Sequence, residues 1–415
     1  MTRSKLAAIA MVLALALPFA GAAEDAPGTW KWGDTTLKLY GYVQLDTTFD
    51  FLSRDPNVEG DDWATVAALT PLDSTFDAKN KKHQLYLTAR TSRLGLTTTT
   101  PTAVGSLGVK LEGDFNGVNL EQGQTFTNSV LFRLRHAYGE LSGSAGALLV
   151  GQTWSTFLDL PSYPDVVDFN GPGSFALVRN PMIRYTSPAF AGWTLTLAAE
   201  NAPGTDGNDV SDLGGSEGIT AFQSIPDFHA NLATAGNWGT FSLRGVTINY
   251  KRASSTPGAD SYSKQAYGLA ASGSFKFMGD TLVAHVEGGG GIGRYLLNTI
   301  GGERNPFDSG TDLFLWDALA YHVGYTHVWN PEWRSNLVWS QTFIKPNPAA
   351  GDISELNQRI DQVFVNTFWT FAKNASFGIE YVYGRRATFG SAFGATAKDF
   401  GRESRINASF HYNLL

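Results

Sequence analysis

Apolar and polar residues alternate with a period of two along most of the chain. The stretch from Leu37 to Phe49 places Leu, Gly, Val and Phe on one side and Lys, Tyr, Gln and Asp on the other. The stretches Leu107–Phe115 and Ile406–Leu414 repeat this alternation. A period of two is that of a β-strand with two different faces and not that of a helix. The pattern therefore predicts an all-β fold.

The same alternation predicts sixteen strands. They lie near 36–50, 84–98, 104–116, 130–141, 147–157, 180–188, 192–201, 226–235, 239–251, 261–277, 281–295, 317–329, 333–343, 358–371, 375–386 and 402–414. Most are longer than the ~5–6 residues usual in soluble sheets. They suit tilted strands that cross a bilayer, which need about 9–11 residues.

Short and long connections alternate between these strands. The short ones carry turn residues; they include 100–102, 142–144, 187–188, 278–280, 330–332 and 373–374. The long ones are mostly polar and rich in Gly, Pro and Asp; they include 51–83, 158–179, 202–225, 296–316, 344–357 and 387–401. Short periplasmic turns and long outer loops are the layout of an outer-membrane barrel.

Aromatic residues cluster where the strands meet the short turns. They are Trp193, Trp238, Trp329, Trp333, Trp369 and Phe377. One interpretation is a buried core, and the other is an aromatic girdle at the membrane interface. Their position at turn boundaries, away from the middle of the strands, favours the girdle.

The number of strands also indicates to which side of the barrel wall the polar face turns. A barrel of that size encloses an aqueous channel, so its polar face turns inward. The expected inward residues are Lys38, Asp46, Arg93, Lys110, Glu112, Asp114, Arg133, Arg135, Arg184, Arg244 and Arg405. A closed apolar core could not hold so many charges. The predicted fold is a sixteen-stranded antiparallel transmembrane β-barrel with a constriction loop.

The first 22 residues have the layout of a secretory signal. Arg3 and Lys5 precede an apolar run of about 14 residues, and Ala20-Gly21-Ala22 is a small-x-small cleavage pattern. The run is shorter than the ~20 residues of a spanning helix. We expect a cleaved signal over 1–22, a short N-terminal segment over 23–35 and the barrel over 36–415.

Composition excludes several classes of protein. The 415-residue chain has no Cys, which excludes disulfide scaffolds, zinc fingers and thiol enzymes. Net charge is -7 without any Lys/Arg block, which argues against nucleic acid as a partner. HExxH is absent, and His322 and His327 lie five apart, on opposite faces of a strand. We expect no cofactor, no metal and no enzymatic activity.

Several arginines are candidates for the pore wall. Arg133 and Arg135 share a face of one strand, and Arg184 and Arg244 point inward from others. Arg90 and Arg93 cannot both point inward on a regular strand, so a bulge or a position near the rim is expected there.

Two roles remain open for these arginines. They could pair with Glu112 and Asp114 of the neighbouring strand and only hold the wall. Alternatively, they could form a cationic ladder that steers anions through the pore.

The loop 158–179 is the second candidate element. It holds three prolines and the acids Asp159, Asp165 and Asp168, which could face the arginines across a constriction. The alternative is an ordinary solvated outer loop. The run Gly288–Gly291 lacks the ending of a phosphate-binding loop, and we expect a thin patch of wall that allows close packing.

Several motifs, in this order, resemble Gram-negative porins. They are Leu39–Asp46, Ser92–Gly95, Leu111–Phe115, Leu134–Tyr138 and Gly151–Phe157, while Pro226–Phe228 and Gly291–Leu296 are similar to DcaP-like porins in particular. The resemblance implies a homotrimer in the outer membrane, with the third long loop folded into each lumen. It also implies passive uptake of small anions such as dicarboxylates, along a wall of Arg93, Arg133 and Arg135 facing Asp159 and Asp165.

The expected partners are outer-membrane lipid and small anionic solutes. Two alternatives of other classes remain, a plugged structural or adhesive barrel and a barrel enzyme of the lipase or protease type. The mature net charge of -9, after loss of Arg3 and Lys5, would suggest a cation pore. We expect an anion preference instead, because screening over about 8 Å weakens distant loop charges.

Overall fold

The computed structural model describes residues 28–51, 67–70, 72, 83–117, 131–201, 219–221, 224–254, 261–299, 306–308, 312–345, 347, 353, 356–390 and 400–414. The expected signal over 1–22 lies outside these residues and stays a prediction. Among the described residues, no helix is both long and apolar enough to cross a bilayer.

Sixteen long strands form the wall, as the sequence pattern predicts. They are β1 (Thr35–Asp50), β2 (Gln84–Thr88 and Arg93–Thr102), β3 (Gly105–Gly117), β4 (Leu131–Gly143), β5 (Gly146–Trp154), β6 (Arg179–Thr186), β7 (Trp193–Glu200), β8 (Asp227–Gly236), β9 (Gly239–Ser254), β10 (Tyr262–Phe277), β11 (Asp280–Gly290), β12 (Asp317–Val328), β13 (Trp333–Ile344), β14 (Asn357–Ala372), β15 (Ala375–Thr388) and β16 (Phe400–Asn413). Each strand pairs antiparallel with the next, and β1 pairs with β16, which closes the barrel.

Shorter elements accompany the wall. Thr29–Trp32 forms a hairpin with the start of β1, and Ile219–Ala221 extends the sheet beside β9. Phe307–Asp308 and Leu313–Phe314 form a two-stranded sheet of their own. Short 3₁₀ helices are Ala67–Leu69, Leu160–Ser162, Gly293–Tyr295 and Leu297–Thr299.

A bulge interrupts β2. Asp46 of β1 pairs with Thr88 and Tyr42 pairs with Arg93, so four residues of β2 oppose three of β1. The extra residue changes which side chains face the lumen beyond it. This confirms the bulge expected between Arg90 and Arg93.

The outer surface is apolar and carries aromatic residues at its short-turn end. Trp329, Trp333 and Trp369 are exposed by 64%, 39% and 41%, and the rings of Trp333 and Trp369 stack at 5.6 Å. Trp238 and Phe377 are also exposed, and Trp193 is half-buried. The girdle interpretation is therefore confirmed, and the buried-core interpretation is wrong.

One part of the lumen is apolar, which the sequence pattern did not predict. Val246, Ile248 and Tyr250 of β9 point inward and are at most 3% exposed. They form a hydrophobic cluster with Phe157 and Tyr295, which belong to loops folded into the barrel. Burial of these side chains fixes the two loops against the wall of β9 and β10.

Candidate functional site: a constriction between an inward loop and a basic wall

Residues 155–178 form a loop that leaves β5 and folds into the barrel before β6 begins. Phe157, Phe175 and Ala176 of this constriction loop are almost completely buried. An apolar loop side chain would be exposed if the loop extended into solvent, so the outer-loop alternative is wrong. The expectation of an inward-folded constriction loop is confirmed.

Three side chains of the wall accept backbone N–H groups along this loop. Glu200 of β7 accepts the N–H of Thr156 at 2.6 Å, near the start of the loop. Glu380 of β15 accepts the N–H groups of Val167 and Asp168, at 3.0 and 2.8 Å. These carboxylates replace water for buried N–H groups, which would otherwise cost free energy.

The third acceptor holds the returning arm of the loop. Gln362 of β14 accepts the N–H of Gly173 at 2.9 Å. A second inward loop meets the same arm, because Asn298 donates its N–H to the carbonyl of Gly173 at 3.0 Å. The loop is thus held along its length. None of its acceptors was predicted, since Glu200, Glu380 and Gln362 look like ordinary inward polar residues of strands.

The acids of the loop do not face the basic wall that the sequence analysis assigned to them. Each pairs with an arginine elsewhere on the wall. Asp159 Oδ2 lies 3.5 Å from Arg244 Nη1 and accepts the hydroxyl of Ser272 at 2.5 Å. Asp165 Oδ2 lies 2.5 Å from Arg334 Nε. The expected facing arrangement is therefore wrong for these carboxylates, because ion pairs hold the loop against β9 and β13.

Asp168 shapes the turn of the loop. Its Oδ1 accepts the N–H groups of Asn170 and Gly171, at 2.9 and 3.2 Å, and its Oδ2 lies 4.0 Å from Arg405 Nη1. Burial raises the pKa of the Asp168 carboxyl above its usual range, and the charge of Arg405 opposes that rise. Gly171 has a φ of +60°, and a Cβ there would lie 2.1 Å from the hydroxyl of Tyr163. Only glycine fits this position.

The basic wall lies on β2, β3 and β4. Arg133 binds Asp114 with two parallel hydrogen bonds, of 2.9 and 2.8 Å. Arg135 bridges both acids, since its Nε lies 3.0 Å from Glu112 and its Nη1 lies 2.7 Å from Asp114. The pairing of these arginines with the neighbouring strand is confirmed.

Two more cations share Glu112. Arg93 Nη1 lies 3.4 Å from Glu112 Oε1, and Lys110 Nζ lies 3.3 Å from Glu112 Oε2. Four cations thus surround two carboxylates, so pairing leaves an excess of positive charge. The ladder is held in place by its acids but is not neutralised by them.

Arg179, at the start of β6, joins this group and was missed by the sequence analysis. Its guanidinium lies 4.5 Å from the ring centroid of Trp154, which also lies 5.6 Å from Arg135. Its Nη1 is buried without a hydrogen-bond partner, and no carboxylate pairs with it among the described residues. The only signal in the sequence is the position of Arg179, which is the last residue of the predicted loop 158–179.

The loop approaches the basic wall through an aromatic ring. The guanidinium of Arg133 lies 5.8 Å from the ring centroid of Phe169, in the constriction loop. The remaining candidates lie elsewhere. Arg184 is half-buried and lies 3.4 Å from the carbonyl of Trp154, and Arg90 lies at the bulge of β2. Arg244 is 3% exposed and belongs to the loop anchor with Asp159.

Two histidines lie beneath the constriction loop. His322 Nε2 lies 3.0 Å from the carbonyl of Ser162, and its Nδ1 lies 3.2 Å from the hydroxyl of Ser174. The ring of His322 stacks on that of His285 at 4.9 Å. His327, by contrast, contacts Asp280 near a short turn, so His322 and His327 share no site, as expected.

The second inward loop follows the glycine-rich end of β11. Arg294 pairs with the buried Asp227, and the hydroxyl of Tyr295 donates to Asp227 at 2.6 Å. A Cβ on Gly291 would lie 2.7 Å from the Cβ of Ala266, at a φ of +77°. This confirms that the glycines allow close packing.

Known proteins share this architecture. The outer membrane channel DcaP of Acinetobacter baumannii superposes with a TM-score of 0.74 at 24% identity, covering 94% of this chain and 100% of that one. An anion-selective porin from Comamonas acidovorans superposes with a TM-score of 0.55 at 13% identity, covering 92% of this chain and 100% of that one. The trimer form of OmpT from Vibrio cholerae superposes with a TM-score of 0.56 at 12% identity, covering 91% of this chain and 99% of that one. At these identities the likeness establishes the fold alone.

A sequence profile identifies the family. A search of curated proteins finds no match. The profile of the DcaP outer membrane protein family matches residues 22–414, which include the whole barrel. The chain therefore belongs to the DcaP outer membrane protein family, and it is a channel-type barrel of the Gram-negative outer membrane.

Proposed function

We propose that this channel passes small hydrophilic solutes by diffusion and prefers small anions, dicarboxylates among them. The observation that carries the proposal is the excess of cations at the constriction. Within the described residues, the cations Arg93, Lys110, Arg133, Arg135 and Arg179 lie around two carboxylates, those of Glu112 and Asp114. Rings of one charge sign set the selectivity of pores.

The acids of the loop do not cancel this excess. Asp159, Asp165 and Asp168 are held by Arg244, Arg334 and Arg405. Asp159 and Asp165 therefore each have a cation of their own, on β9 and β13, while Asp168 shares Arg405 with Asp50 and Glu403. An anion that reaches the basic wall meets guanidinium groups, which bind carboxylates in a fork geometry. Two carboxylates on one solute could engage two arginines at once.

A plugged barrel is the second candidate. Two loops fold inward and pack on the apolar part of β9, so they occupy lumen space. A planar-bilayer recording separates the two candidates. The proposal predicts stepwise conductance, with a zero-current potential in a KCl gradient that shows chloride preference. Absence of conductance would support the plugged barrel, and potassium preference would contradict the anion assignment.

We also propose that the channel is a homotrimer and that the outer face of β2–β5 forms the contact. The large exposed apolar residues on this face are Leu, Val and Phe only, and they include Leu87, Leu111 and Leu148. The outer face of β12–β16 instead exposes Trp and Tyr, as at Trp333 and Tyr412. Belts of Trp and Tyr mark contact with the lipid interface, so a face without exposed Trp or Tyr suits contact with protein.

A further inference from the structure

The lumen of the barrel is filled on one side and open on the other. On β9, β14 and β15 several inward side chains are completely buried; Ile248, Phe364 and Val382 are each 0% exposed. On β3 and β4 the inward side chains of Lys110 and Arg133 keep 27% and 30% of their surface exposed. A barrel of sixteen strands leaves an aqueous lumen unless other parts of the chain fill it. The space along β9–β15 is therefore occupied by segments that fold inward.

Two of these segments are the constriction loop and the second inward loop, residues 291–299. The constriction loop covers Phe364 and Val382 through Val166. The second inward loop packs Ile292 and other apolar side chains against Ile248 of β9. An ion inside such an apolar contact would lose its hydration at a high cost in free energy. These contacts therefore do not conduct ions while they stay packed.

A third segment, residues 67–70, joins them inside the barrel. Ala67 and Ala68 are 0% exposed and pack on Ile360 of β14. Leu297 of the second inward loop packs against the same cluster, so the two segments meet within the lumen. The sequence pattern placed residues 67–70 in a long outer loop, and their position inside the barrel was not predicted.

The barrel wall is shaped to hold the third segment. The carbonyl of Ala68 accepts hydrogen bonds from Asn357 Nδ2 at 3.1 Å and from Arg386 Nη1 at 2.6 Å. Gly384 lies on the inward side of β15, and a Cβ there would lie 2.9 Å from the Cβ of Ala67. Two carbon atoms attract each other best at about 3.5–4.0 Å, so that approach would be repulsive. Glycine at this position lets the segment lie directly on the wall.

We propose that the third segment and the second inward loop form a seal, which closes the lumen along β9–β15 and confines solutes to the path beside the basic wall. The inference rests on the proposed channel function and names the residues that bring the solute to the arginines. Currents through parallel paths add, so an open path along β9–β15 would dilute the selectivity of the pore. An ion farther from the basic wall than the screening length of about 8 Å would hardly be selected by it.

Thiol labelling tests the seal without any measurement of current. The chain has no Cys, so a single introduced Cys is the only thiol. Tyr138→Cys lies on the open side, where Tyr138 is half-buried, and Ile360→Cys lies beneath the seal. A charged methanethiosulfonate reagent is added to the folded protein in detergent, and mass spectrometry follows the reaction. We expect Ile360→Cys to react roughly tenfold more slowly than Tyr138→Cys, because a buried thiol reacts only when its cover opens.

A larger side chain in the wall tests what the seal does. Gly384→Val should push the third segment away from β15. Gly245→Val is the matched control, because a Cβ at Gly245 has no neighbour closer than 3.6 Å. In Gly384→Val we expect Ile360→Cys to react roughly tenfold faster than in the native background. In planar bilayers Gly384→Val should also show a larger conductance and a lower chloride preference in a KCl gradient, and Gly245→Val should show neither change.

Two outcomes would overturn the proposal. Equal labelling of Tyr138→Cys and Ile360→Cys in the native background would show that the lumen is not sealed. Faster labelling in Gly384→Val with unchanged conductance and selectivity would show that the segment packs on the wall but closes no path. If Gly384→Val does not fold, Leu297→Ala loosens the same contact from the second inward loop and is measured in the same way. A native protein that does not conduct would contradict the proposed channel function instead, while the labelling rates would still decide whether the lumen is sealed.

Discussion

Arg179 offers the sharpest test of the proposed selectivity. It contributes a positive charge to the constriction but pairs with no carboxylate in the part of the chain that the structure describes, and it contacts the ring of Trp154 at 4.5 Å. The substitution Arg179→Gln therefore removes one charge without leaving an acid unpaired. The other basic residues cannot be used in this way, because each of them binds Glu112 or Asp114. We expect Arg179→Gln to lower the anion preference while the barrel stays folded.

The size of the effect follows from Coulomb's law in a water-filled pore. An ion that passes about 6 Å from one unit charge interacts with it by about 0.7 kcal/mol at the dielectric constant of water. Screening over about 8 Å at 0.15 M salt halves this to about 0.3 kcal/mol. The change has opposite signs for anions and cations, so the free-energy difference between them changes by about 0.7 kcal/mol. The permeability ratio of anions to cations therefore changes about threefold. At 1 M salt, where the screening length is about 3 Å, the change falls to about 1.4-fold.

Zero-current potentials in KCl gradients measure the ratio at both salt levels. Lys345→Gln is the control, because it makes the same change in net charge at an exposed position outside the constriction. We expect a threefold shift of the ratio for Arg179→Gln at low salt and almost none for Lys345→Gln. An unchanged ratio in Arg179→Gln, or equal shifts in both variants, would show that net charge at the constriction does not set selectivity.

Three further predictions concern the wall, the loop and the assembly. Arg135→Gln should lower unfolding free energy by about 3–5 kcal/mol, because it breaks a buried pair; denaturant unfolding should show almost no such loss in Arg179→Gln. Glu380→Ala should lower the unfolding free energy by about 3–6 kcal/mol, because it removes two hydrogen bonds to loop N–H groups. It should also increase open-channel noise, and Glu380→Gln should be intermediate. Quiet currents in both variants would contradict the role of Glu380 in holding the loop. A spin label on Leu111→Cys should collide with oxygen less than one on Leu337→Cys, and equal collision would refute the proposed trimer face.

The barrel itself could be predicted from the sequence, because its signal is local. The alternation in β16 follows from residues that are adjacent in sequence, and it sets which side faces lipid. The same local information fails at two kinds of position. The bulge of β2 could be anticipated only because Arg90 and Arg93 conflict in phase. The apolar inward side of β9 could not be anticipated, since Val246 and Ile248 alternate there like any lipid-facing pair.

The constriction could be predicted only in part, for a related physical reason. The basic wall forms between neighbouring strands, so the pairing of Arg133 with Asp114 follows from a register that the sequence suggests. The prediction that the loop acids face that wall is wrong, because a shared role at the pore does not require contact in space. Their partners Arg244, Arg334 and Arg405 lie 85, 169 and 237 residues away in sequence. No local pattern encodes a contact of that separation.

The division of charges between the two walls connects the fold to its proposed function. A pore that used its acids opposite its arginines would place both signs along the path of the solute. Here Asp159 and Asp165 pair with Arg244 and Arg334, and these ion pairs anchor the loop to β9 and β13. The ion pairs that fix the loop therefore also remove negative charge from the path, and the basic wall keeps its excess. Anchoring and selectivity are in this way both set by Asp159 and Asp165, so releasing the loop should weaken both.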